Sequence, residues 1–212
     1  NHKGLYAQAV SLLEQAILEN ISSSDPGFAL ARLNLGELYA KTGTIENSII
    51  EWKAALQVDP SLLPAHFNLG TAYMMKGKLE PAEKAFKYCL KLNNRYEPAL
   101  FNLAKVYQMQ KRWEESSQQF KVFLEVTGPN PSAYAQIGFN FNRQSDWKNA
   151  QTFLEKSVSL QPNNVATKIY LAEALANLGQ KEKAREHLQT ALNPNPAQSA
   201  AINKMMANLT NP

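Results

Sequence analysis

The sequence has a single cysteine, Cys89, so no disulfide can form within the chain, and cysteine usage assigns no redox compartment. Long apolar runs are missing as well. Nothing approaches the roughly 18 to 20 apolar residues that a membrane-crossing helix needs, and the opening stretch NHKGLYAQAV lacks the apolar centre of a signal peptide. The chain starts at Asn1 without a Met, so a processed protein or an excised segment is expected, with any leader or anchor already removed. Charge is present but never massed: 22 Lys and Arg against 18 Asp and Glu give a formal +4, with no run of one sign. This speaks against a basic nucleic-acid arm and otherwise only for solubility. No localisation follows.

Catalytic ingredients are equally sparse. His2, His66 and His187 lie far apart, and no pair has the helical or short-loop spacing of a metal site. There is no phosphate loop, nucleophile elbow or paired-acid motif. Cys89 falls where equivalent segments have Ala55, Phe123, Ser157 and Ala191, so a packed, inert thiol is expected. Neither a catalytic residue, nor a metal, nor a cofactor is expected in this chain.

What is present is repetition. LNLGELY at Leu33–Tyr39 returns as FNLGTAY at Phe67–Tyr73 and FNLAKVY at Phe101–Tyr107, each 34 residues after the last. Numbering from Ala29, five blocks share one register: 29–62, 63–96, 97–130, 131–164 and 165–198. Large apolar residues recur four apart in the first half of each block (Leu35 with Tyr39, Leu69 with Tyr73) and again in the second half (Trp52 with Leu56, Phe86 with Leu90). That is the spacing of one helical face, twice per block. Small residues recur beside them: Gly36, Gly70, Ala104, Gly138 and Ala172 in the first half, Ser48, Ala82, Ser116, Ala150 and Ala184 in the second. Gly inside a helix costs about 1 kcal/mol against Ala, so close packing of the two helices is predicted. Gly43, Gly77 and Gly179 mark the turn between them, and Pro60, Pro162 and Pro196 are expected to stop the second helix.

This pattern resembles the tetratricopeptide repeat over nearly the whole chain. The resemblance implies an all-α fold, a right-handed α-solenoid of helix-turn-helix repeats with a C-terminal capping helix. The expected organisation is a partial repeat over 1–28, the five repeats at 29–62, 63–96, 97–130, 131–164 and 165–198, and a cap with tail over 199–212. Within 1–28, Lys3–Glu19 reads as a turn and second helix, Gly4 taking the place of Gly77, and NISSSDPG as a longer helix end and linker. Ile202, Met205, Met206 and Leu209 form the apolar stripe of the cap. Arg32, His66 and Lys168, where an aromatic or Leu is usual, are expected to give uneven packing.

The resemblance also implies that the first helices line a groove facing a ligand. One register position reads Asn34, Asn68, Asn102, Gln136 and Tyr170. Carboxamides both donate and accept, so such a row can hold the backbone of an extended peptide, similar to the asparagine ladder of O-GlcNAc transferases. Beside it run Leu33, Phe67, Phe101, Ala135 and Ile169, with Met74, Met75, Met109 and Phe139 close in register, an apolar and adaptable strip. The candidate peptide-binding set is Asn34, Phe67, Asn68, Met75, Phe101, Asn102, Met109 and Phe139. Two competing expectations are that the Asn side chains bond to neighbouring turns and that the rings are covered by the array itself.

A carboxylate clamp is not expected, because Pro64, Phe67, Pro98 and Phe101 stand where Lys or Arg would be needed. Inner-face charge is mixed (Glu37, Lys41, Lys105, Arg143, Glu173), so the expected partner is protein or peptide and not nucleic acid. The expected function is a non-enzymatic scaffold or adaptor. Alternatives are a substrate-recruiting arm of a larger enzyme such as a glycosyltransferase, or an envelope factor for pilus or secretion assembly. Oligomeric state is not assigned.

Overall fold

A computed structural model describes residues 2–19, 26–192 and 196–210, and every regular element among them is a helix. In chain order these are α1 (His2–Glu19), α2 (Pro26–Thr42), α3 (Ile45–Val58), α4 (Leu63–Met75), α5 (Leu79–Leu92) and α6 (Glu97–Met109). They continue as α7 (Trp113–Thr127), α8 (Pro131–Arg143), α9 (Trp147–Leu160), α10 (Val165–Asn177), α11 (Lys181–Ala191) and α12 (Pro196–Thr210). The chain forms two compact units, Asn1–Val106 and Tyr107–Pro212.

One turn is used at every helix pair from α2 to α11. The residue at the bend has positive φ: Gly43, Gly77 and Gly179, but also Lys111 at 60° and Ser145 at 59°. Its N–H bonds three residues back (Gly43 to Ala40 O, 3.1 Å; Ser145 to Asn142 O, 3.0 Å). The next N–H bonds five residues back (Thr44 to Tyr39 O, 2.9 Å; Asp146 to Phe141 O, 3.0 Å). This paired closure satisfies the last carbonyls of the first helix and reverses the chain. Side-chain caps start several helices: the Oδ1 of Asn130 accepts from Ala133 N–H and that of Asn164 from Thr167 N–H, both at 3.0 Å.

Helix pairing depends on the small residues. A Cβ placed on Gly70 would lie 2.7 Å from Phe86 Cε1, and one on Gly138 would lie 2.8 Å from Leu154 Cδ2. The large side chain of the second helix therefore sits directly on the backbone of the first, and both Phe86 and Leu154 are fully buried. In the first unit Leu33, Trp52, Ala65, Leu69 and Ala72 form one core cluster. In the second, Leu154, Leu171, Leu175 and Leu188 continue into Ile202 of α12, with Met205, Met206 and Leu209 packed against them. The apolar stripe of α12 thus covers the side of α10 and α11 that would otherwise face water.

Two expectations change. Helix α1 begins at His2 and runs through Gly4, so that glycine is not at a turn. Pro196 opens α12 instead of stopping α11, which ends at Ala191; proline suits a first turn because its missing N–H would be unpaired there. The expected linker residues 20–25 lie outside the described residues. Arg32, His66 and Lys168, where uneven packing is expected, each have a partner of their own. Arg32 pairs with Glu51 at 2.7 Å over the Phe28 ring, His66 stacks on Tyr88 at 4.1 Å, and Lys168 donates to Thr190 O at 3.2 Å.

Candidate functional site

Within the first unit, α2, α4 and α6 carry Asn34, Asn68 and Asn102 in equivalent places. Asn34 is exposed, whereas Asn68 and Asn102 are half-buried. The Nδ2 of Asn68 donates to Glu37 Oε1 at 3.4 Å, one repeat earlier. Phe101 is half-buried on α6.

Three of the candidate residues come together. Phe67, Asn68 and Met75 line one open hollow of about 360 Å³, with Ala40 and Lys41 from α2 and Ile45 and Trp52 from α3 among the other walls. Phe67 reaches it half-buried, its ring held edge-on by Tyr96 (centroids 5.5 Å apart) and tilted on Phe86 (5.8 Å). Aromatic pairs at such separations hold a ring in place. Met75 is 71% exposed at the rim, where its flexible thioether has room to move. Ala40 contributes only a methyl group to its wall.

The apolar row beside the carboxamides is not uniform. Leu33 and Ala135, expected on the groove, are buried, and Leu33 belongs to the core next to Trp52, whose Nε1 donates to Leu33 O at 3.3 Å. At the same register position Phe67, Phe101 and Ile169 are half-buried.

The second unit has a different surface at the equivalent places. Phe139 packs on Tyr170 (5.1 Å) and edge-on to Trp113 (5.9 Å), with the Arg143 guanidinium 5.3 Å from its ring centre. Arg143 is itself paired with Glu173 at 2.6 Å. Met109 is half-exposed near the end of α6.

Sequence reasoning missed the residues that occupy the place of Ala40 further along. Gln108 Nε2 donates to Asn140 Oδ1 at 2.7 Å and to Gln136 O at 3.5 Å. Asn142 Nδ2 donates to Tyr170 O at 2.8 Å and to Glu173 Oε2 at 3.2 Å, while its Oδ1 is buried without a partner. Asn140 is fully buried, and its Nδ2 donates to Ser116 Oγ (2.9 Å) and Ser117 Oγ (3.1 Å). The available signal was polar residues at places that are apolar in other blocks.

No group of three or more potential metal ligands occurs among the described residues. Burial pushes the Cys89 thiol up to about 12, and its Sγ–H points to Leu63 O at 3.9 Å, so it is a poor nucleophile. The Tyr39 hydroxyl is likewise raised to about 12, chiefly by donating to the Glu14 carboxylate. No described helix is long and apolar enough to cross a membrane.

Paired helices joined by one turn at a 34-residue period define an all-α tetratricopeptide solenoid. The family model described as the cilia and flagella-associated protein 70 C-terminal domain matches residues 2–207, and the chain belongs to that family. Curated protein sequences give no significant match. Among solved structures, YrrB, described as a TPR protein with an unusual peptide-binding site, superposes with a TM-score of 0.76 at 19% identity, covering 91% of this chain and 97% of that one. The MamA protein gives 0.73 at 18% identity, over 83% of this chain and 94% of its own. PilF of Pseudomonas aeruginosa gives 0.67 at 20% identity, over 85% and 88% respectively. At these identities the likeness is one of fold.

Proposed function

We propose that the chain is a non-catalytic adaptor that holds an extended segment of a protein partner along the first helices of its repeats, taken as the blocks 29–62, 63–96, 97–130, 131–164 and 165–198. The observation that carries this reading is the meeting of Phe67, Asn68 and Met75 at one open apolar hollow, with a carboxamide at its edge. Apolar concavities with a few polar groups are the usual form of a binding site. Asn34, Asn68 and Asn102 supply main-chain contacts in the first unit, and Phe67 and Phe101 supply apolar ones. Met109 and Phe139 offer apolar surface in the second. The peptide-binding site ascribed to YrrB, a protein of the same fold, supports the reading without identifying the ligand.

The test is a random-peptide array probed with the protein and with Asn68→Ala/Asn102→Ala. Loss of main-chain hydrogen bonds lowers affinity by a similar factor for most retained peptides, about fivefold to tenfold per bond lost. An unchanged array would overturn the reading. Loss confined to one sequence would instead show side-chain recognition.

A further inference from the structure

We infer that the hollow beside Ala40 is an anchor pocket for a peptide in which a large apolar side chain, aromatic in the best case, is followed directly by a carboxylate. This rests on the peptide-binding reading above and gives its first unit a defined specificity.

In the second unit, Gln108 and Asn142 occupy the place of Ala40 and cross to the next first helix, ending on its main-chain carbonyls at Gln136 and Tyr170. Ala40 makes no such crossing, and the space measures about 360 Å³. That lies within the range of about 300–1,000 Å³ typical of small-ligand pockets. The occupant's chemistry is set by the walls. Ile45, Trp52, Phe67, Ala72 and Met75 make most of the wall carbon, with Glu37, Lys41, Asn68 and Thr71 completing it, so the hollow suits an apolar side chain better than a carboxamide of the kind Gln108 offers. A flat apolar side chain would release water from the hollow without losing hydrogen bonds, with Trp52 and Phe67 among the walls around it.

The rim sets the neighbour. Lys41 is exposed and has no carboxylate partner among the described residues. Glu37, one turn earlier, lines the same hollow but is half-buried and accepts from Asn68 Nδ2 at 3.4 Å, which leaves Lys41 as the exposed charge at the rim. A peptide carboxylate next to the anchor would complete Lys41, and the Asn68 Oδ1 is left to accept a main-chain N–H. A basic neighbour would face Lys41 and is selected against.

The probe is the peptide acetyl-Ala-Ala-Phe-Asp-Ala-Ala-amide, titrated into the whole chain while the Trp52 indole and Met75 methyl resonances are followed by NMR. Both signals are expected to shift saturably. Changing the peptide's Phe to Ala weakens binding about tenfold or more, and changing its Asp to Lys weakens it several-fold, an effect that Lys41→Glu reverses. Ala40→Met, which places in the hollow the side chain that Met74 supplies one repeat later, abolishes the shifts while the melting temperature is kept or raised.

Saturable binding that Ala40→Met leaves unchanged would overturn the anchor pocket, as would absence of any shift at millimolar peptide. Should the variant fail to fold, the Phe-to-Ala peptide on the unaltered protein decides the question. Insensitivity to Ala40→Met together with sensitivity to Asn102→Ala would retain the groove and discard the pocket. Insensitivity to both would discard both.

Discussion

The hollow between α2 and α4 and the seam between α8 and α10 occupy equivalent places in the repeat, yet one is open and apolar while the other is bridged and polar. Backbone does not account for the difference, because both sit beside the same turn, closed by the same hydrogen bonds. The side chains differ: Ala40 stops short where Asn142 crosses. A repeat array therefore separates its tasks by residue. The places that pair helices within a repeat stay small or large as packing demands, and the place on the seam is free to be a hole or a rivet. The end of the second unit shows the same rule, since Ala176 stands beside a hollow of about 160 Å³ between α10, α11 and the cap.

The contrast is broken most severely by removing the polar side of the second unit. Asn140→Val puts there the residue that Val106 supplies one repeat earlier, and it leaves Ser116, Ser117 and Gln108 without their partner; the urea midpoint is expected to fall by the equivalent of about 3 kcal/mol. Asn142→Ala would open in the second unit the hole that Ala40 makes in the first. It loses two hydrogen bonds and is expected to cost about 2 kcal/mol in the same measurement. In the reverse direction, Ala40→Met fills a cavity and is expected to add about 1 kcal/mol, read as a higher melting temperature.

Smaller effects sharpen the comparison at the turns. Ser145 holds a left-handed conformation that Gly43 adopts without strain, so Ser145→Gly is expected to stabilise by up to about 1 kcal/mol and Gly43→Ala to destabilise by a similar amount. The least effect concerns pH in the second unit. Burial holds His187 below its ordinary value of 6.5, with Lys168 adding to the shift and Glu186 and Glu155 opposing it. The unfolded chain then takes up a proton before the folded one does. Stability is intact above about pH 6.5 and declines as pH falls through and below that value, and His187→Gln should remove that part of the decline in pH-dependent melting.

The helices, their pairing and their turns were legible because packing imposes them on every repeat. Gly70 is small because Phe86 lies on it, and recurrence reveals such a constraint even without a structure. Recurrence is silent wherever one block differs from the rest. Lys111 and Ser145 take the turn conformation of Gly43 without its residue type, so the sequence marked only three of these bends. Asn140 is a single departure, Asn142 shares its place only with Gln108 as a polar residue, and their partners lie 23 to 32 residues away. Leu33 was placed on the groove by analogy with Phe67, but its shorter side chain ends in the core. The hollow itself could not be read, because it is made by a side chain that is too small.

The buried carboxamide of Asn140 also bears on how near-copies find their proper neighbours. Adjacent blocks share one register of apolar and small places, so a slip of one whole period is a folding error that keeps the apolar pattern in step. In that misaligned state Asn140 would face Ala82 and Glu83 where Ser116 and Ser117 belong, and a methyl group would replace one of its two hydroxyl acceptors. An otherwise interchangeable series of helices thus carries one interior label that matches a single address.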